Sequence, residues 1–328
     1  MLYYADTVGM LLMQDFPNFG EGGDTPLGRK RFEEMMKIGM RRDFNHPSII
    51  AWCLFNETWG FGGQTELMKF IAPLAATHSR EQLKEKVANT SSFKWVHEMW
   101  VLAKTIDSTR LIEDMSVVVW EHLSAYGHVD TDINSWHFYL DDYAKAKAHI
   151  EDVVAKTYRG SSFNYIEGYQ QSAAPLINSE YGGVGALDGD RDVSWTFRFL
   201  TNELRRHGQL SAYIYTELHD VEWEYNGFLN YDRTPKQFGY PPTIINQGDV
   251  LPINAPPVSL YSPGSKISVE VLSSHFSRRR RENITLHWLY SGIDTLGTLH
   301  PELARGHKKI PFTHHRVELA RRIELTLP

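Results

Sequence analysis

A single cysteine, Cys53, is all that this chain of 328 residues contains. That excludes an internal disulfide framework and any cysteine-rich zinc or iron-sulfur centre. Long apolar runs are missing too: none reaches the roughly 18 residues of a membrane span, and no basic segment followed by an apolar stretch opens the sequence. Neither charge sign dominates, since 34 Lys and Arg face 40 Asp and Glu for a net charge of -6. The chain therefore has no general attraction to phosphate backbones or anionic lipid, and neither nucleic acid nor a membrane is expected as a partner. What it has is 42% hydrophobic and 23% charged residues, the profile of a globular protein with ample core material.

Short apolar runs alternate with helical patterns over the first 245 residues or so. Ser48 to Phe55 (SIIAWCLF) is apolar almost throughout and bounded by Pro47 and Asn56, as expected of a parallel strand buried on both faces. Similar runs at Val8–Gln14, Leu111–Ser116, Ile133–Phe138, Leu176–Ser179 and Ser211–Thr216 bring the expected strands to six. Between them, Thr25 is placed to cap a helix that starts with Pro26 and carries Phe32, Met35, Met36 and Met40 on one face. Another helix sets Val193, Phe197, Leu200 and Leu204 at helical spacing. Strand-helix alternation of this length predicts a parallel α/β sheet.

After Tyr240 the texture changes. Residues 241–263 hold six prolines and read as a linker. Beyond them Ile267, Val269 and Val271, then Ile284, Leu286, Trp288 and Tyr290, then Ile323, Leu325 and Leu327 alternate with polar residues. That period of two predicts an antiparallel β domain with one buried face, short of the seven or so strands of a full sandwich and running out inside its last strand. The run Arg278–Glu282 (RRRRE) reads as a solvated hairpin tip, because like charges repel and stay in water. The adjacent His314 and His315 point to opposite faces of a strand and read as a surface pair.

Two glutamates stand out because each ends a buried strand: Glu57 after SIIAWCLFN and Glu180 after PLINS. In a barrel of parallel strands the C-terminal ends converge on one face, so both carboxylates can share one mouth. Carboxylates held there are costly to desolvate unless they have chemistry to do, although structural salt bridges account for many such pairs. Beside Glu57, Asn56 supplies an amide suited to a sugar hydroxyl. Trp59, Trp120, Trp136, His137, Phe138, Tyr139, Tyr213 and Tyr215 cluster at or near strand ends, where flat rings beside polar groups suit sugar faces. Trp52, inside its strand, reads as core.

Four segments in register, Arg42–Gly60 (RDFNHPSIIAWCLFNETWG), Lys104–Ser116 (KTIDSTRLIEDMS), Pro175–Gly182 (PLINSEYG) and Asn226–Lys236 (NGFLNYDRTPK), resemble glycoside hydrolase family 2, the family of β-galactosidases, β-glucuronidases and β-mannosidases. The resemblance runs from about Leu2 to Lys236. It implies a (β/α)8 TIM barrel whose six strands here are the third to the eighth, so that the first two βα units are absent, followed by a partial immunoglobulin-like sandwich. The domain boundary is then expected between residues 245 and 246. The implied activity is a retaining exo-β-glycosidase working through a glycosyl-enzyme. Glu57 is implied as general acid/base, Glu180 as nucleophile, Asn56 as partner of the sugar 2-hydroxyl and Tyr139 as hydrogen-bond donor to Glu180. Tyr215 is the nearest match to a usual tryptophan on the eighth strand, and Trp59, His137 and Glu217 complete the expected substrate-binding set.

Spacing supplies an independent check. Glu57 and Glu180 lie 123 residues apart, whereas three βα units need only about 93. The surplus of about 30 fits a polar insertion at Phe61–Ser91, directly after the acid/base, which either shapes substrate access or is a solvated surface loop. Departures from the family also inform. Glu224-Tyr225-Asn226 stands where a β-glucuronidase is expected to carry an Asn-Xaa-Lys triplet for the uronic carboxylate, and an acidic residue there repels one. Asp15-Phe16-Pro17-Asn18-Phe19 offers no Glu or His for the magnesium site of large β-galactosidases. No metal and no cofactor are expected, and the expected substrate is a β-glycoside or oligosaccharide, galactosides first, with mannosides and glucuronides of the same family as alternatives. Self-association into a homo-oligomer and the cellular compartment are left open. Met1–Asp6 reads as the end of a helix already under way. That motivates a rival reading from another class, a truncated, non-catalytic carbohydrate-binding remnant with an incomplete pocket and apolar strand edges exposed.

Overall fold

The computed structural model describes residues 1–17, 25–57, 77–79, 81–82, 85, 92–117, 127–166, 168–185 and 188–328. These fall into two compact units. The first comprises Met1–Tyr139, Asp152–Tyr181 and Leu210–Thr216; the second comprises Leu140–Glu151, Gly182–Gln209 and Glu217–Pro328.

Helix α1 (Leu2–Val8) opens the first unit and ends at Gly9, whose left-handed φ of 72° no branched residue would adopt cheaply. The first strand is therefore shorter than its apolar run: Val8 belongs to the helix, and β1 is Leu12–Asp15. Helix α2 (Pro26–Asp43) starts as the sequence requires, with the Thr25 hydroxyl accepting from the Gly28 N–H at 3.0 Å and Pro26 in the first turn. Phe32, Met36 and Met40 are buried along it. Strands β2 (Ile49–Asn56), β3 (Leu111–Ser116), β4 (Asn134–Tyr139), β5 (Leu176–Gly182) and β6 (Leu210–Tyr215) follow in order, with helix α3 (Ser92–Ile106) between β2 and β3. Hydrogen bonding gives the orders β1-β2-β3 and β4-β5-β6. The pairs β1–β2, β2–β3 and β5–β6 are parallel. The His137 N–H donates to the Val117 carbonyl at 2.7 Å, tying the end of β3 to β4. Central strands are buried almost throughout, whereas β6 alternates between partly and fully exposed positions.

The core beneath β2 holds Phe32, Met36, Ile49, Trp52, Phe55 and Trp95. Trp52 is fully buried, as its place inside the strand predicts, and its indole N–H donates to Asp107 at 3.0 Å. Arg110 staples the start of this sheet. Its guanidinium donates to Asp107, to the Ile49 carbonyl and to the Phe44 and His46 carbonyls, all at 2.7–3.0 Å. The conspicuous segments RDFNHPSII and KTIDSTRL thus meet at one structural knot. Burial alone would raise the Asp107 pKa, but bonds from Thr109, Trp52 and Arg110 hold it well below the ordinary carboxylate range. Replacing Arg110 with Ala leaves a buried carboxylate without its ion-pair partner and takes a donor from three carbonyls, so a loss of about 3–5 kcal/mol is expected in urea titration. Because the Asp107 pKa is depressed, this stabilisation is present above its unfolded value near 4 and disappears as pH falls below it. An unchanged denaturation midpoint for Arg110→Ala would rule the staple out.

The second unit contains most of helix α4 (Tyr143–Lys156), helix α5 (Val193–Arg205) and the C-terminal strands. Asp192 caps α5 by accepting from the Ser194 N–H at 2.9 Å, and Val193, Phe197, Leu200 and Leu204 are buried as their spacing predicts. The proline-rich stretch is less featureless than a linker: it holds a short 3-10 turn at Pro242–Ile244 and the two-residue strands β7 (Asp249–Val250) and β8 (Ile253–Asn254). Strands β9 (Lys266–His275), β10 (Asn283–Ile293), β11 (Leu299–Pro311) and β12 (Val317–Thr326) complete the chain. β12, β9 and β7 form one antiparallel sheet with β8 also on β9, and β10–β11 form another. Val271 of the first meets Leu286 and Ile310 of the second in a small core. Three expectations change here. β11 is an additional strand; β12 ends at Thr326 rather than running out at the last residue; and Arg278–Glu282 is not a hairpin tip, because β9 and β10 do not pair and the run crosses between sheets. No helix among the described residues is long and apolar enough to cross a membrane.

Candidate active site

Glu57 and Glu180 stand at the C-terminal ends of β2 and β5 in the first unit. Glu57 follows immediately on β2 and has a φ of 57°, a left-handed conformation that is uncommon for a residue with a side chain. A polar clamp holds it there: the Glu57 N–H donates to the Ser116 hydroxyl at 3.1 Å, and that hydroxyl donates to the Asn56 side-chain oxygen at 2.9 Å. Register explains the clamp, since Asn56 and Ser116 are partners across the parallel β2–β3 pair.

His137 sits between the two carboxylates. Its Nδ1 is 2.9 Å from Glu57 Oε1 and 3.4 Å from Glu180 Oε2, and its Nε2 is 2.8 Å from the Ser179 hydroxyl. The Tyr139 hydroxyl donates to Glu180 Oε1. On β4, His137 and Tyr139 share one face, while Trp136 and Phe138 share the other and are fully buried as core. On β5 the pairing with β6 is irregular between Asn178 and Tyr181, and both Ser179 and Glu180 reach His137.

Burial disfavours a charged imidazole, yet Glu180 and Glu57 more than offset it and hold His137 up at about 9. It is therefore a cation at neutral pH. Burial likewise raises the Glu180 pKa, with His137 opposing, Glu57 reinforcing and Tyr139 opposing. Tyr139 and His137 favour the charged form of Glu180, but burial and the neighbouring carboxylate outweigh them. Among the described residues, Glu57, His137 and Glu180 form a group whose potential ligand atoms lie within 4.8 Å of one another. A histidine kept protonated by two carboxylates is a poor metal ligand, because ligation needs the neutral ring.

Of the expected substrate-binding set, Asn56, His137 and Tyr139 belong to this cluster. Tyr215 is half-buried on β6, beside Tyr181 in an edge-to-face contact with ring centroids 5.4 Å apart. Glu217, two residues past β6, belongs to the second unit. Trp59 and Trp120, most of the Phe61–Ser91 insertion, and Asn18 and Phe19 lie outside the described residues. Ser116 and Ser179 were not anticipated. The first is visible in the sequence only as the last residue of its strand, and the second as the neighbour of Glu180.

Two carboxylates at the ends of strands of an α/β fold, one of them bonded to a tyrosine hydroxyl, make up the candidate site. Residues 4–190 match glycosyl hydrolases family 2, TIM barrel domain. This is more than half of the chain, which therefore belongs to glycoside hydrolase family 2. No curated protein matches the sequence. Solved structures of similar fold include an FMN-binding β-glucuronidase from Faecalibacterium prausnitzii L2-6 (TM-score 0.51, 16% identity, covering 100% of this chain and 45% of that one). A Bacteroides uniformis β-glucuronidase gives a TM-score of 0.50 at 16% identity, over 95% of this chain and 40% of that one. A Bifidobacterium dentium β-glucuronidase also gives 0.50 at 16% identity, over 72% of this chain and 37% of that one. The chain thus spans less than half the length of these proteins, and at such identity the likeness carries the fold and not the specificity.

Proposed function

We propose that this chain carries the catalytic pair of a retaining exo-β-glycosidase acting on terminal β-D-glycosides. In this reading β1–β6 are strands three to eight of a TIM barrel within residues 1–245, and residues 246–328 are part of an immunoglobulin-like sandwich. The observation that carries the proposal is the close approach of Glu57 and Glu180, one oxygen of each lying within 4.8 Å of the other. Inverting enzymes separate their carboxyl groups by roughly 6.5–9.5 Å to admit a water, whereas retaining ones hold them about 5–5.5 Å apart for direct attack. Glu180 attacks the anomeric carbon while Glu57 protonates the departing glycosidic oxygen. The resulting glycosyl ester is hydrolysed by water that Glu57, now a base, deprotonates. Asn56 addresses the sugar 2-hydroxyl, and His137, Tyr139 and Tyr215 of the same unit add substrate contacts.

Neutral hexosides, galactosides first, are the proposed substrates. In the Glu224-Tyr225-Asn226 triplet the Asn226 side-chain oxygen accepts from the Gly183 and Val184 N–H groups at 3.2 and 3.0 Å, so this amide serves the backbone. The nearby Lys236 is bound to Asp220 and the Tyr225 carbonyl, both at 2.8 Å. Lys236 is thereby engaged and not free to meet a uronic carboxylate. Nitrophenyl β-galactoside, β-mannoside and β-glucuronide, compared by kcat/KM with the active protein, should show the galactoside ahead. A preference for the glucuronide would overturn the specificity while leaving the catalytic pair intact.

A further inference from the structure

We infer that the second unit contains a binding pocket for an aryl phosphate monoester, a flat apolar molecule carrying a dianionic head. A cavity of about 800 Å³ lies wholly within this unit, inside the range of roughly 300–1,000 Å³ typical of small-molecule sites. Helix α5 supplies one wall. While Val193, Phe197, Leu200 and Leu204 face its core, the positions Trp195, Arg198, Phe199, Asn202 and Arg205 fall on another side at helical spacing and line the cavity. The proline-rich stretch contributes Ile245 and Leu251, and His275 and Phe312 add a stacked pair with ring centroids 3.9 Å apart. From the basic run, Arg279 and Arg281 reach the lining.

Charge selects the ligand. Four arginines line the cavity against one carboxylate, Asp249, in a chain whose overall charge is -6. Asp249 is already engaged by Ser277, whose N–H and hydroxyl donate to it at 3.3 and 2.6 Å. Arg198, Arg279 and Arg281 form no ion pair among the described residues. Arg205 is held in position by its bonds to the Ser274 hydroxyl at 2.7 Å and the Gly248 carbonyl at 2.8 Å. His275 is 2% exposed, its Nδ1 lies 3.7 Å from Asp249 Oδ1, and its Nε2 has no hydrogen-bond partner, so one buried ring nitrogen is left for an incoming oxygen to satisfy. Guanidinium forks match phosphate oxygens in pairs, and the aromatic and aliphatic walls suit a flat ring. A sugar fits less well. The one side-chain amide on the α5 wall, Asn202, is spent on the Ile253 backbone, accepting at 3.0 Å and donating at 2.9 Å.

Calorimetric titration of the 328-residue chain with 2-naphthyl phosphate, 2-naphthol and inorganic phosphate tests the assignment. One site is expected for 2-naphthyl phosphate, bound at least about tenfold more tightly than either part alone. The double variant Arg279→Glu, Arg281→Glu alters exposed side chains and should keep the wild-type melting temperature while weakening binding at least about tenfold. Three outcomes would overturn the inference: equal affinity for 2-naphthol, which means an unspecific apolar surface; unchanged affinity in the double variant; or heats that follow protein dilution instead of ligand, which means a second copy of the chain fills the cavity.

Discussion

Glu180→Gly should lower turnover of a β-glycoside by on the order of 10⁵-fold, the scale on which loss of an attacking group is felt. Sodium azide should then restore reaction, and the product should be the α-glycosyl azide, because the small anion enters the space the carboxylate leaves and attacks from the same side. Glu57→Ala should behave differently. Its loss of about 10²–10⁴-fold should fall on substrates whose leaving group needs a proton, while dinitrophenyl glycosides still form the glycosyl-enzyme. Azide should intercept that intermediate from the opposite side and give the β-glycosyl azide. Proton NMR of the two products reads the anomeric configurations directly. Reversed stereochemistries would exchange the roles of the two glutamates, and rescue of neither variant would remove the pair from the chemistry.

His137→Phe should cost about 10²-fold in kcat/KM, comparable to losing one aimed donor at a charged reacting centre. The informative change is in pH dependence. His137 is the nearby cation that holds the Glu180 pKa down against burial and against Glu57. Without it Glu180 retains its proton to higher pH, so the acid limb of the kcat/KM profile should move upward. Stability should change as well. The His137 pKa is about 9 in the fold and about 6.5 in an unfolded chain. A group raised in this way contributes fully below about pH 6.5, and its contribution declines as pH rises through 9. The wild-type melting temperature should therefore fall across that interval, and the fall should be absent in His137→Phe. Parallel melting curves together with an unmoved acid limb would show that His137 merely fills space.

β2 was legible because a strand buried on both faces is apolar nearly end to end, the other five strands through shorter apolar runs, and the glutamates because each follows such a run. Helices α2 and α5 were legible through Thr25 with Pro26 and through the spacing of four apolar residues on α5. β11 escaped for the opposite reason: Leu299–Pro311 is exposed at most positions, carries Glu302, Arg305, Lys308 and Lys309, and contains Pro301, which a two-stranded sheet with free edges tolerates. The central place of His137 was also out of reach. Its bonds to Glu57 and Ser179 span 80 and 42 residues of sequence. Until β4 is set beside β5, with β3 leading from β2, His137 is one polar residue in an aromatic run.

The backbone at Glu57 bears on what keeps that residue in place. A left-handed φ of 57° on a side chain of this size costs on the order of 1 kcal/mol or more, which the Ser116–Asn56 clamp opposes. Glycine would relax the turn, and asparagine would adopt it more readily. Selection for folding alone therefore gives no reason to keep glutamate at this position. A polypeptide released from catalysis would be expected to lose the acid at this turn before it lost Trp52 or Arg110, whose burial and bonding serve the fold itself. On the proposed acid/base role, Glu57 is the position of this chain at which decay of activity would first become readable.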